Sequence, residues 1–576
     1  MVSRFNALRG ALRAHPERAR WLSLGGVMAL FLLVNLALMP HGVFAGGDSP
    51  RYVDGGQDLA AGQPLTVEKG VSYLGYIGLV AGSMAAGLSL YGVVIAQLAA
   101  ALAAIAAIYD LGRSLGGHRA GMVAAGLLAA DAWLGVQNFV VMTDALYSSL
   151  VVIATWAIYR AGERGGWNFL IALAAAVTAA SVRPNGYLLI PIGLMYVIWR
   201  RIPDRRWRWA GIAVVLAALL AAAALPSWLH GEVAAENPGG GFQIGLTVWR
   251  WPQRLYWLVL MPPDPALDGG DWLTVARYGL AHPLATGWLM IVRVAIHFAN
   301  VRPDASLLMN VTSSLWLAWV YPLAAIGFVQ NRRGAAGALA GLCLAIIGAH
   351  TAVVALTWAD QHGRFLFYVL PLLYLFAAAA VSRAQATSIL WKAIRTAGVA
   401  VVIVRVASGA SPEVYTSWLP GSSYLALGGP SPLAATVRHI QYGDEVDLLG
   451  FKPIGSPARA GSTVPLALVW QGRRALPTNY SESVWLADAS GARIGGEDGR
   501  LGGGFFSGAA YGTMRWTAGL VMVDQPTLTI PANAPRVVRV YLSVYGRDKN
   551  LVVATWIDGR AAQEGQVLLQ TIEVGR

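Results

Sequence analysis

The residues of this chain that could do chemistry are few, and they stand at the ends of long apolar runs. After the first run comes a stretch punctuated by glycine and proline that holds Asp48, Arg51, Tyr52, Asp54, Asp58, Glu68 and Lys69. Further on, Asp144 follows Thr143, Arg183 precedes Pro184 and Asn185, and Asp360, His362 and Arg364 fall within a few residues of one another. A carboxylate can take the proton of an attacking hydroxyl. Arginine and lysine make charge-assisted hydrogen bonds to phosphate. A set with both suits a substrate carrying an anionic phosphate and a hydroxyl to be deprotonated. Most of these residues also have a structural reading. Asp144 at a helix start complements the helix dipole, Asp54 and Asp58 can cap or be solvated, and Arg183 can reach for headgroups. His362 can sit in the interface, and Asp131 can bond to a neighbouring helix. Asp48, between glycines and a proline, has no helix to cap.

The elements that must position these groups are membrane helices. Over 576 residues, 56% are hydrophobic and 13% charged, against about a quarter charged in soluble domains. The deficit lies in the first 400 residues, where apolar runs of about 20 residues recur, the length that spans a bilayer. Spans are expected at 21–40, 88–110, 119–138, 144–162, 167–182, 186–201, 208–229, 307–329, 334–357, 365–382 and 388–407, eleven in all. With the N-terminal arginines in the cytoplasm, the loops holding Arg113 and Arg119, Arg160 and Arg164, Arg200 to Arg208, Arg332 and Arg333, and Arg383 all fall on the cytoplasmic side, as the positive-inside rule requires. The polar residues above then share the outer face. Val71–Gly87 reads as an interfacial or re-entrant helix, as do amphipathic pieces within 230–306. The net charge of +13 is dispersed through these loops, so it does not point to nucleic acid. The single cysteine, Cys343, can make no intrachain disulfide, and the N-terminal run lacks a clear cleavage site, so it reads as a retained span.

From residue 408 the composition changes. Residues 408–440 are rich in Ser, Gly and Pro and read as a linker. Beyond it, short alternating stretches such as Val464–Trp470, Ser483–Ala487 and Val537–Val544 read as strands of an antiparallel β-sandwich. The expected organisation is a polytopic α-helical membrane domain at 1–407, a linker at 408–440 and an all-β sandwich domain at 441–576 outside the cytoplasm. Trp470, Trp485, Trp516 and Trp556 read as sandwich core rather than sugar platforms, and the β-domain shows no catalytic cluster.

The ordered motifs resemble the GT-C superfamily of membrane glycosyltransferases, specifically its protein O-mannosyltransferase and aminoarabinose transferase branches. The resemblance covers about residues 20–382. It rests on Asp48-Ser-Pro-Arg51-Tyr52 with Gly62-Gln63-Pro64, on Lys69-Gly-Val-Ser-Tyr73, on Met142-Thr-Asp144, on Val182-Arg183-Pro184, and on Arg364-Phe-Leu-Phe-Tyr-Val-Leu-Pro371. Departures are Ser49 where the family often has a second acidic residue, and the lack of paired prolines near Lys69. The β-domain looks like those appended to some bacterial GT-C enzymes.

The resemblance implies transfer of a sugar from a polyprenyl-phosphate-linked donor to a glycan, lipid or protein acceptor, on the extracytoplasmic side of a bacterial plasma (inner) membrane. In that reading Asp48 is the general base, with Asp144 in support. Lys69, Arg183 and Arg364 neutralise the departing phosphate, and Arg51, Tyr52, Tyr73, Asp360 and His362 contact substrate. Asp48 and Asp144 could instead hold a divalent cation, Mg or Mn, so the resemblance leaves both a metal-free and a metal-assisted site open. One base and a phosphate leaving group suffice for a single displacement with inversion. The rival readings are a lipid-linked glycan polymerase or ligase, and a transporter of such glycans. A transporter usually shows internal repeats and midplane polar residues, neither of which is visible here.

Overall fold

A computed structural model describes residues 16–38, 43, 48–65, 71–224, 272–301, 307–334, 336–356, 364–383, 388–409, 424–426, 436–474, 480–501, 521–524, 526–546, 553, 555–557, 560–561 and 565–575. The protein is mostly helical, with a C-terminal β region. Its contacts divide it into two compact units. One comprises Met1–Asn35, Gly55–Asn138 and Thr143–Val414; the other comprises Leu36–Asp54, Phe139–Met142 and Tyr415–Arg576.

In the helical unit, alanine- and leucine-rich segments form the helices that hydropathy marks out. The helix Tyr91–Ala130 is broken at Gly116 and Gly117, and Gly117 has φ +77°, where a side chain would be strained. The chain folds back on itself there. A Cβ on Gly121 would lie 2.5 Å from the Tyr109 carbonyl oxygen, so only glycine lets the two arms close. The second arm ends at Asp131, which leaves the helix and caps Ala132–Gln137 by accepting the Trp133 N–H. The expected span 119–138 is therefore interrupted at Asp131.

Among the described residues, Tyr91–Ala130, Leu307–Asn331 and Gly337–Leu356 are each long and apolar enough to cross a membrane. This is fewer than the eleven hydropathic segments. Trp167–Val182 and Leu370–Arg383 are shorter because the turns that carry Arg183 and Tyr368 replace a helical turn at one end. Val71–Gly87 forms a 3₁₀ turn and the 12-residue helix Leu74–Ala85, too short to cross alone. Within 230–306, Thr274–Ala281 and Pro283–Ala299 meet at 108°, the geometry of a broken span or of the expected re-entrant loop. The second of these turns one face into the protein. Leu289, Arg293 and His297, spaced four apart on one face, are wholly buried, and Arg293 donates to the Ala355 carbonyl at 3.0 Å.

A buried ion pair ties several helices together. Arg405, on Ile389–Gly409, meets Asp131 at 3.1 Å and the Ser313 hydroxyl at 3.1 Å, and it lies 4.2 Å over the Trp133 ring. The other Asp131 oxygen accepts from Tyr374 at 2.6 Å, which in turn accepts from Trp316 Nε1 at 2.8 Å. Arg405→Met should cost about 3–5 kcal/mol because it strands a buried carboxylate, whereas pairing it with Asp131→Asn should recover much of that. Thermal melting of the two purified variants in detergent measures the difference.

The β region contains β1 (Tyr424–Ala426), β2 (Thr436–Tyr442), β3 (Val446–Lys452), β4 (Ala458–Arg459), β5 (Thr463–Pro465), β6 (Ala467–Gly472), β7 (Tyr480–Ala487), β8 (Arg493–Arg500), β9 (Val521–Asp524), β10 (Thr527–Thr529), β11 (Val537–Gly546), β12 (Thr555–Ile557), β13 (Arg560–Ala561) and β14 (Gln566–Gly575). Thus β1 and the start of β2 fall inside the 408–440 stretch that reads as a linker. One sheet runs β1-β9-β6-β3-β2-β12-β13, another β4-β14-β11-β7-β8, and β10 pairs with β5. Alternation sets the inner face: Val538, Val540, Leu542 and Val544 of β11 are buried while the residues between them are not. Trp470 is core, as expected. Trp485 instead stands half-buried on the opposite face of its sheet from Glu482 and Val484, stacked on Tyr541 at 4.6 Å between centroids. Trp556 is half-buried on β12, and Trp516 lies outside the described residues.

Glu482 of β7 and Asp524 of β9, from the two large sheets, are both buried and share a hydrogen bond. Burial first, then the facing Asp524, holds the Glu482 carboxyl well above the usual carboxylate range. The folded unit therefore binds this proton more tightly than the unfolded chain. The stability it contributes is complete below the unfolded value of 4.5 and is lost as pH rises through the raised folded value. Glu482→Gln should leave the melting temperature unchanged near pH 4 and raise it by several degrees at pH 8, read by calorimetry of the full-length protein.

Candidate active site

Asp144 is the centre of a buried polar cluster in the helical unit. It enters at the first turn of Thr143–Arg164, where the helix dipole favours a carboxylate, yet it is 0% exposed. Burial of a carboxylate demands partners, and they arrive from two distant segments. Arg183 ends the helix Trp167–Val182, where Pro184 prevents its continuation. Its guanidinium donates to Thr143 Oγ1 at 2.7 Å and to Asp144 Oδ1 at 3.3 Å. Gly186 permits the tight turn that follows, since a Cβ there would lie 2.4 Å from the backbone of Ala179 and Ala180. From the third segment, Arg364 stands 3.8 Å from Asp144 Oδ2, and the Tyr368 hydroxyl donates to Asp144 Oδ1.

Aromatic rings close the cluster. The Arg183 guanidinium lies 5.2 Å from the Phe365 ring centre and 5.1 Å from that of Tyr368, and Arg364 lies 5.6 Å from Phe365. The 3₁₀ turn Phe365–Tyr368 is pinned by Ser148, whose hydroxyl donates to the Phe367 carbonyl at 2.7 Å. The Arg183 side chain is 9% exposed and that of Arg364 19%. Arg183 is thus the locked partner, and Arg364 the one more open to a ligand. Two guanidiniums thus face one carboxylate, and guanidiniums make charge-assisted hydrogen bonds to phosphate.

The structure brings together Asp144, Arg183 and Arg364 from the expected set. Tyr73 closes the turn Val71–Tyr73 before the helix Leu74–Ala85 and is half-buried. Asp48, Arg51 and Tyr52 belong to the other unit. There Asp48 directly precedes the helix Ser49–Ala60, and its carbonyl accepts from Arg51 N–H at 3.1 Å. The expectation that Asp48 has no helix to cap is therefore corrected, since Ser49-Pro50 starts one despite the flanking glycines. Lys69, Asp360 and His362 lie outside the described residues. A divalent cation does not fit beside Asp144, which is faced by two guanidiniums, and no group of three or more His, Cys, Asp or Glu side chains converges among the described residues.

Residues 79–228 match the family described as dolichyl-phosphate-mannose-protein mannosyltransferase. The matched segment includes Asp144 and Arg183, and the match ends before Arg364 and Tyr368. The chain is also similar to ArnT from Cupriavidus metallidurans bound to undecaprenyl phosphate, at 16% identity and a TM-score of 0.38, covering 66% of this chain and 63% of that one. The apo form of that protein gives 13% identity and a TM-score of 0.40, covering 69% and 77%. The archaeal oligosaccharyltransferase AglB from Archaeoglobus fulgidus, in complex with an inhibitory peptide and a dolichol-phosphate, gives 15% identity and a TM-score of 0.39, covering 71% and 57%. The chain thus spans less than two thirds of the length of lipid-bound ArnT and of AglB. These scores lie below those of a shared fold. Among the curated proteins, none matches the chain.

Sequence reasoning missed Tyr368, Tyr147 and His350 as members of the cluster. Tyr368 could have been found, because it stands four residues beyond Arg364, close enough for both to serve one site. His350 is a single polar residue in an apolar run, and its partner is 203 residues away.

Proposed function

We propose that this protein is a membrane glycosyltransferase of the GT-C type that moves a sugar from a polyprenyl-phosphate-linked donor to an acceptor at the extracytoplasmic face of a bacterial plasma membrane, with inversion. The observation that carries this reading is the buried Asp144 carboxylate holding Arg183 and Arg364 side by side. A phosphate that departs with extra negative charge is stabilised by cations already in place, because they need no reorganisation during the reaction. The description of the family matched at residues 79–228 names a lipid-linked mannose donor, which agrees with this chemistry. In this reading Arg364 meets the phosphate, Arg183 anchors the cradle, and Lys69 adds a third cation. Asp48 takes the acceptor proton, and Arg51, Tyr52, Tyr73, Asp360 and His362 line the substrates. Eleven spans with a cytoplasmic N-terminus would put the β-domain on the same side as this chemistry.

A transfer assay with purified protein and a panel of synthetic polyprenyl-phosphate sugars tests it. Arg364→Gln should raise the donor KM at least about tenfold, as loss of a charged contact worth ~1.5–3 kcal/mol requires. Wild-type kinetics from Arg364→Gln would remove the cradle from the reaction.

A further inference from the structure

Beneath the cradle lies a second pair of polar groups with no role in the mechanism above. Tyr147 lies on the Asp144 helix, one turn further along, and it is 0% exposed. Its hydroxyl lies 2.8 Å from His350 Nε2, and His350 is itself buried in the helix Gly337–Leu356. His350 Nδ1 stands 2.9 Å from the Ile346 carbonyl, which can only accept. The Nδ1 proton is therefore fixed, so in the neutral ring Nε2 must accept from Tyr147. The Tyr147 ring, held in this way, meets the Tyr368 ring edge to face, with centroids 4.8 Å apart and planes at 86°. Tyr368 in turn donates to Asp144.

We propose that Tyr147 and His350 are positioning residues for the anion cradle: they fix the Tyr368 ring, and through it the carboxylate that aims Arg183 and Arg364 at a lipid-linked phosphate. This deepens the function proposed above and rests on the cradle being the donor-phosphate site. The chain of orientation runs from the Ile346 carbonyl to His350, Tyr147, Tyr368 and Asp144, and each link is a named hydrogen bond or ring contact. Packing alone would not call for it. A leucine and a phenylalanine would fill the same space without burying a ring nitrogen and a hydroxyl that each need a partner. Groups that orient a ligand's direct contacts commonly change affinity about 10- to 100-fold when removed, as in metal sites.

The test uses the full-length purified protein in detergent and undecaprenyl phosphate as the probe, read by tryptophan fluorescence, with a thermal melt of every variant. Tyr147→Phe keeps the ring and removes the hydroxyl, and His350→Leu removes the acceptor. Each should weaken undecaprenyl phosphate binding about tenfold, with melting temperatures close to wild type. His350→Gln, whose amide oxygen can replace Nε2 as acceptor, should restore most of the affinity. Binding of undecaprenol, which lacks the phosphate, should be the same in all variants. Wild-type affinity in Tyr147→Phe overturns the inference. So does a loss that only follows a lowered melting temperature, or one that His350→Gln fails to restore. Arg364→Gln run alongside separates the two readings. If it binds the probe like wild type, the cradle itself is not the phosphate site and both fall. If it binds weakly while Tyr147→Phe binds normally, only the positioning role falls.

Discussion

Asp144→Asn is expected to lower transfer by more than about a hundredfold and to cost the helical unit about 3–5 kcal/mol. The size follows from the surroundings of the carboxylate. It is wholly buried, holds Arg183 at 3.3 Å, faces Arg364 at 3.8 Å and accepts from Tyr368. An amide of the same shape removes the carboxylate charge that both guanidiniums face, and its NH₂ end opposes one of the donors. Stability and activity can be separated. Adding Arg183→Gln removes the second stranded charge and should raise the melting temperature toward wild type, while transfer stays lost because the cradle has only Arg364. Thermal melts and single-turnover transfer measured on the single and double variants provide the check. Recovery of transfer along with stability would mean that the cluster serves only to hold the helices together.

Asp48→Asn should lower kcat by about 10²–10⁴-fold while leaving affinity for the lipid-linked donor unchanged. Asp48 stands immediately before the helix Ser49–Ala60 and is half-buried. The amide preserves the shape of the turn and removes only the basicity. The loss should therefore appear in kcat, with the acid limb of the pH–rate profile flattened. Full transfer by Asp48→Asn would exclude it as the base and turn attention to Asp54 and Asp58 of the same helix.

Asp144, Arg183 and Arg364 are legible in the sequence because each sits where a long apolar run meets a turn. Hydropathy and turn chemistry are local properties, and they mark such borders well. The partners that make the cluster work are less legible. Tyr368 reaches Asp144 across 224 residues, and Arg405 reaches Asp131 across 274. A tyrosine or arginine inside a run of Leu, Ala and Val has the same local signature whether it meets lipid, solvent or a buried carboxylate.

The sequence by itself determined that the first 400 residues form apolar helices and that the chain ends in alternating strands. Burial of apolar surface at a fixed period is written in the order of residues, as the inward Val538, Val540, Leu542 and Val544 show. Tertiary structure alone decided where helices stop and which polar groups meet. Gly117 turns one long helix back on itself, Asp131 interrupts a run that hydropathy reads as continuous, and Arg293 and His297 are buried on an otherwise apolar helix. It also decided that Trp485 stands on the outer face of its sheet while Trp470 fills the core. The physical reason is the same in each case. The cost of burying a polar or aromatic group depends on what faces it, and what faces it comes from segments that only folding brings together.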